Sequence, residues 1–216
     1  MQIAIPIYPN FTALDAVGPY EVLVRLLGSE VVFCGAERGP VRTDTGKLGL
    51  EVDATFAEVS APDVIVVPGG PASRAEAAQH GAVVEWIESV HSGTTWTTSV
   101  CTGSLLLAAA GVLDGLDATT HWAAADDLRD FGVNYVPERV VERGKVITAA
   151  GVSSGIDMAL ILVARLESDD YARAIQLGIE YDPQPPFDAG SPEKAGPELV
   201  ELVRAVNRSR AEAAAS

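Results

Sequence analysis

Hydrophobic positions along this chain alternate between two regimes. Short apolar or β-branched runs stand at QIAIPIY (2–8), EVVFC (30–34), DVIVVPGG (63–70) and TTWTTSV (94–100). Runs of this length and composition read as strands buried in a sheet. Pro6 predicts an edge position or a nearby bulge for the first of them. Between the runs, apolar residues return at helical spacing: FTALDAVGPYEVLVRLLG (11–28) with Gly28 as C-cap, one amphipathic helix over 72–92, and a helix over 102–110. Further on, SSGIDMALILVARL (153–166), with Ser153 or Ser154 as N-cap, DDYARAIQLGIEY (169–181) and GPELVELVRAVNRSR (196–210) repeat the pattern.

The polar alternation and glycines of PVRTDTGKLGLEVDATFAEV (40–59) predict a hairpin excursion, and NYVPERVVERGKVITAAG (134–151) a strand pair. The prolines of DPQPPFDAGSP (182–192) exclude regular structure there. AEAAAS is expected to fray, with the tail loosening from about residue 208. Strands that alternate with helices predict an α/β fold, a mostly parallel sheet with helices on both faces. No linker or repeat interrupts the pattern, so a single domain over 1–216 is expected.

Composition narrows the function. Formal net charge is −15, from 15 basic against 30 acidic residues, and no basic cluster offsets it. Such a surface repels phosphate backbones, so nucleic acid is not an expected partner. No apolar run is long enough to span a membrane, and the N-terminus lacks the basic and cleavage segments of a signal peptide. A cytoplasmic location is the expectation. Two cysteines, Cys34 and Cys101, and three scattered histidines offer neither a disulfide framework nor metal-ligand spacing. No metal is expected.

Chemistry concentrates where TTWTTSV runs into a helix with Cys101 at the joint. A residue on a sharp strand-to-helix turn is held clear of the sheet, and a helix N-terminus favours thiolate, so a pKa below that of a free thiol is expected. The other reading is a small, inert, buried hydrophobe. Cys34, mid-strand, reads as core packing. Gly69 and Gly70 end a neighbouring strand, where their N–H groups are candidates for an anion hole. Asp15 begins the first helix; it either complements the helix dipole or faces the thiol. Thr102 follows the cysteine and offers its N–H and hydroxyl. His121, in ATTHW, reads first as a loop cap or subunit contact and second as a proton carrier.

SVCTGSLLLAAAGVLDG, ATTHWA and AAGVSSGIDMALIL together resemble the ThiJ/PfpI superfamily, a cysteine-elbow branch of the class I glutamine-amidotransferase-like fold. With FTALDAVGPYEVL, VVPGG and QLGIEYDPQPPFDAGSP, the chain resembles the isonitrile hydratase branch along almost its whole length. The resemblance implies a flavodoxin-like three-layer sandwich, a homodimer and no cofactor. It implies Cys101 as nucleophile and Asp15, the acid of an LDxxGP motif, as acid–base group. The implied reaction is hydration of an isonitrile, a small molecule, to an N-substituted formamide through a cysteine thioimidate. Thr102 stands where peptidase-like relatives carry histidine, which puts a peptidase reading in doubt. Regulator relatives append a DNA-binding helical domain, and with the sequence running to Ser216 none is expected here. Glyoxalase- or deglycase-like carbonyl chemistry and a redox-sensing cysteine remain as alternatives.

Overall fold

A computed structural model describes residues 1–214. Its strands are β1 (Gln2–Pro6), β2 (Glu30–Gly35), β3 (Gly39–Arg42), β4 (Gly49–Val52), β5 (Ala54–Thr55), β6 (Val64–Val67), β7 (Trp96–Val100), β8 (Asp117–Ala118), β9 (Asn134–Tyr135), β10 (Val140–Arg143) and β11 (Val146–Ala149). The helices are α1 (Ala13–Leu23), α2 (Ser73–Gln79), α3 (Ala82–His91), α4 (Gly103–Ala109), α5 (Ala125–Asp130), α6 (Ser154–Leu166), α7 (Asp169–Gly178), α8 (Pro192–Ala195) and α9 (Pro197–Ala214). One sheet runs in the order β10-β11-β7-β6-β1-β2-β5. Its neighbours pair parallel throughout, except the antiparallel edge of β10 on β11.

Two helix groups cover this sheet: α1, α6 and α7 pack on one another, as do α2, α3, α4 and α5, and β7 touches a helix of each group. That is the mostly parallel, doubly covered sheet expected from the alternating pattern and the flavodoxin-like sandwich implied by the resemblance. Every residue of β6 and β11 is buried, as strands covered on both faces must be. β7 is buried from Thr97 to Val100 yet carries hydroxyls. Thr97 Oγ1 meets His91 Nδ1 and Thr94 Oγ1, each at 2.8 Å, and Thr98 Oγ1 donates to Ile65 O, so most of this polar strand is satisfied internally.

Several boundaries differ from the sequence expectation. Pro6 ends a central strand, not an edge one; β1–β6 pairing has already finished at Ala4–Ile65, so the missing N–H removes no rung. The helix expected over 72–92 is two helices, because His80 turns left-handed (φ 51°) and Gly81 caps the second. The first helix stops at Leu23, and Gly28 serves a later turn (φ 77°) instead of a cap. The hairpin over 40–59 forms as β3 against β4, and β10 with β11 supplies the pair expected within 134–151.

Met1–Ile179 form one compact unit, which carries the sheet and all the candidate site residues. A second unit begins at Glu180 with the proline-rich loop, followed by α8 and α9. Within it, Ser191 caps α8, its hydroxyl accepting from Lys194 N–H, and Lys194 pairs with Asp188. The fraying expected of the tail concerns, at its end, residues 215 and 216, which lie outside the described residues.

Candidate active site

Four consecutive strands of the sheet, β11, β7, β6 and β1, each release at the carboxyl end a segment that enters one buried space. This is where open α/β sheets place their sites. Cys101 leaves β7 with φ 57°, a left-handed conformation unusual for a residue with a side chain. Holding it there costs about 1–3 kcal/mol. Four hydrogen bonds oppose that strain: the Cys101 N–H is shared between Ala149 O (3.0 Å) and Ala150 O (2.9 Å), while its carbonyl accepts from the hydroxyls of Ser104 and Thr120, both at 3.1 Å. The cysteine therefore occupies a rigid strand-to-helix turn, with 6% of its surface exposed.

Asp15 lies in the first turn of α1 and is fully buried. Its Oδ2 accepts the Gly69 N–H at 3.0 Å, and Oδ1 is buried without a hydrogen-bond partner of regular geometry. Burial lifts its pKa from 3.8 to about 7, against the Gly69 N–H and the Cys101 thiol, which favour the carboxylate; Asp44 adds to the rise. Of the two sequence readings of Asp15, the structure supports the one in which it faces the thiol.

The Cys101 thiol departs from expectation. Its pKa is pushed up to about 12, first by burial and then by the Asp15 charge. The N–H groups of Thr102 and Val152 and the Thr102 hydroxyl pull the other way and are outweighed. The helix behind the cysteine, α4, has only seven residues, and its dipole does not overcome desolvation beside a carboxylate. At neutral pH the resting pair is thus a protonated thiol beside a carboxyl group near its midpoint.

Gly69 and Gly70 come to this space, but their N–H groups are not a free anion hole. Gly69 N–H donates to Asp15, and Gly70 N–H donates to Thr102 Oγ1 at 2.9 Å. The Thr102 hydroxyl returns a bond to Gly70 O at 3.1 Å. The glycines permit close approach instead. A Cβ on Gly69 would lie 2.5 Å from both Thr102 N and Thr102 Oγ1, and one on Gly70 2.5 Å from Asn10 O. The donors aimed at the sulfur are the N–H groups of Thr102 and Val152. Val152 escaped the sequence reading; the signal available was Gly151 ending an apolar strand, as Gly69 does after β6.

Tyr8 was also missed. It lies just beyond β1, 5% exposed, close enough to Asp15, Cys101 and Glu76 that their charges add to burial in raising its pKa. It also lines a neighbouring groove of about 390 Å³, with Ile7, Phe56 and Glu76. His121 caps a short 3₁₀ turn, its Nδ1 accepting from Ala123 N–H, and its ring packs on Gly151. Burial, then Arg74, lowers its pKa, so at neutral pH it stands as an uncharged cap. Cys34 is a fully buried core residue in β2. Among the described residues no cluster of three His, Cys, Asp or Glu side chains is arranged to hold a metal.

The DJ-1/PfpI family profile matches residues 1–165, the stretch that carries all these groups. The chain belongs to the DJ-1/PfpI family. It is 41% identical to an isonitrile hydratase of Pseudomonas putida over 94% of its own length and 89% of that protein. It is 31% identical to a deglycase of Pyrococcus abyssi over 69% of its length and 89% of that protein. Among solved structures, a ThiJ/PfpI family protein from Pseudomonas syringae superposes with a TM-score of 0.90 at 37% identity, covering 98% of this chain and 89% of that one. These similarities support an enzyme of this family. No helix among the described residues is long and apolar enough to cross a membrane.

Proposed function

We propose that this protein is an isonitrile hydratase that converts R–N≡C and water into the N-substituted formamide R–NH–CHO. One observation carries the reading: a fully buried carboxyl group with a pKa of about 7 lies beside a protonated cysteine on a rigid strand-to-helix turn. The terminal carbon of an isonitrile accepts both a nucleophile and a proton, and this pair offers one of each.

In the first half-reaction the ionised Asp15 takes the thiol proton as sulfur bonds to the terminal carbon. The same proton is delivered to that carbon, giving the thioimidate Cys101–S–CH=N–R and restoring the carboxylate. Thr102 and Val152 N–H groups stabilise the negative charge that passes through sulfur. In the second half-reaction Asp15 accepts a proton from water as its oxygen bonds to the thioimidate carbon. That proton moves to nitrogen, and the tetrahedral adduct R–NH–CH(OH)–S–Cys101 forms. Cleavage of the C–S bond, with transfer of the hydroxyl proton back to sulfur, releases the formamide and regenerates the thiol. The covalent intermediate divides one difficult hydration into two easier steps, and positioned proton transfer contributes roughly 10²–10⁴-fold. The homodimer and the absence of a cofactor implied by the family resemblance, and the cytoplasmic setting expected from the sequence, belong to this reading.

The raised thiol pKa and the burial of Cys101 weigh against a redox sensor, which needs an exposed thiolate. The decisive assay follows formamide from a simple aryl or alkyl isonitrile, with methylglyoxal as the competing substrate. Cys101→Ala is expected to abolish formamide with the fold intact. Asp15→Asn is expected to reduce turnover by roughly 10²-fold or more. Wild-type rates in Cys101→Ala, or turnover of methylglyoxal alone, would overturn the assignment.

A further inference from the structure

The Pro68–Gly69 peptide is held at both ends in the buried space. Its N–H donates to Asp15 Oδ2 at 3.0 Å, and its C=O accepts the Tyr8 hydroxyl at 2.8 Å. The chain Tyr8 O–H···O=C–N–H···Oδ2 Asp15 therefore runs through a single amide group. A donor on an amide oxygen draws electron density from its nitrogen and makes its N–H a stronger donor; such coupling strengthens a bond by ~10–30% in a dry interior. Gly69 O, meanwhile, accepts Thr12 N–H at 2.8 Å at the start of α1, so the next peptide pins the helix that carries the carboxyl group.

We propose that Tyr8 is a positioning residue for Asp15: through the Pro68–Gly69 peptide, its hydroxyl aims and strengthens the N–H that holds the carboxylate. This rests on the reading of Asp15 as the acid–base group. Tyr8 suits the role because burial and the nearby Asp15, Cys101 and Glu76 keep its hydroxyl protonated, so it is a permanent donor over the working pH range.

The groups that face Asp15 are few. Cys101 lies on the β7–α4 turn, Asp44 acts by its charge from the exposed loop between β3 and β4, and Tyr8 follows β1. Asp44 also accepts the Thr12 hydroxyl at 3.1 Å. On α6, which packs on α1, the acidic side chain of the first turn, Asp157, is ion-paired with Arg139. Glu76, on α2, faces Tyr8. Of these groups, Tyr8 is the one that hydrogen-bonds the Pro68–Gly69 peptide.

The test titrates the Asp15 carboxyl carbon by ¹³C NMR in the resting protein, alongside the pH profile of formamide production. Tyr8→Phe keeps the ring, and so the desolvation of Asp15, and removes only the hydroxyl. The Asp15 titration should move up by roughly half a pH unit, with the acid limb of the pH profile moving by the same amount. A meta-fluorinated tyrosine at position 8, a stronger donor of nearly the same shape, should move both the other way. A purely structural hydroxyl would lower the unfolding temperature of Tyr8→Phe and leave the titration in place. An Asp15 titration unchanged in both variants overturns the proposal. Shifted titrations in a protein that makes no formamide would support the relay and overturn the hydratase reading.

Discussion

A thiol and a carboxyl group enclosed in the same dry space govern one another's protonation. Ionising Asp15 pushes the Cys101 pKa up, and burial opposes charge on either of them. This has a consequence for stability. The Asp15 pKa is raised on folding, from 3.8 to about 7, so its stabilising contribution is complete below about pH 4 and is lost as pH rises through 7. Three pH units at about 1.4 kcal/mol each set an upper limit of ~4 kcal/mol. Asp15→Asn keeps an oxygen to accept the Gly69 N–H and has no charge to bury. Urea unfolding of both proteins between about pH 4 and about pH 8 should show the variant gaining on the wild type by up to that amount. A constant difference across the range would mean that Asp15 ionises without penalty, contrary to its burial.

Among the elements, the contact between the β6 turn and the β7 turn decides whether the site assembles. Gly69 abuts backbone atoms: a Cβ there would stand 2.5 Å from Thr102 N and 2.7 Å from Gly103 N, and neither can swing aside as a side-chain tip would. Gly69→Ala is therefore expected to lower stability by about 1–3 kcal/mol. It should also reduce formamide production by roughly 10²-fold or more, since an ångström of misplacement is enough to do so. Thermal unfolding and steady-state rates check this, and a variant with wild-type values for both would show that the turns do not touch. The same contact shows what the sequence could and could not reveal. Strands ending in Gly69-Gly70 and in Cys101 are local patterns, and Asp15 at the start of a helix after β1 is legible by the same token. The duties of the N–H groups are not local. Gly69 spends its donor on a residue 54 positions away and Gly70 on one 32 away, which no spacing rule encodes. The thiol pKa failed for a related reason: a helix N-terminus is visible in sequence, whereas the degree of burial and the charge across the gap are tertiary facts. Tyr8 and Val152 look like ordinary apolar residues at strand ends until their neighbours are placed. The break at His80-Gly81 was marked by its glycine and hidden by the apolar spacing that continues across it.

At the scale of the whole molecule, a formal charge of −15 loads the surface with repulsion. Representative ion pairs such as Arg25–Glu21, Arg38–Glu58 and Arg173–Asp170 are exposed, and pairs of this kind contribute about 0–1 kcal/mol each. They leave the excess of acidic groups largely uncompensated. Sodium chloride raised from about 10 mM to about 150 mM shortens the screening length from roughly 30 Å to roughly 8 Å. The unfolding temperature at neutral pH should rise over that interval, and a fall would indicate that attractive pairs outweigh the repulsion.

The convergence of β11, β7, β6 and β1 on one space also bears on synthesis. A chain growing from the ribosome delivers Tyr8 and Asp15 early, Gly69 later, Cys101 at mid-length and Val152 only after two thirds of the residues have been joined. Until β11 docks beside β7, the cysteine lacks the Val152 N–H, and its own N–H lacks the Ala149 and Ala150 carbonyls that hold the turn. The strained turn thus gains its last supports when the sheet closes on β11, late in the chain.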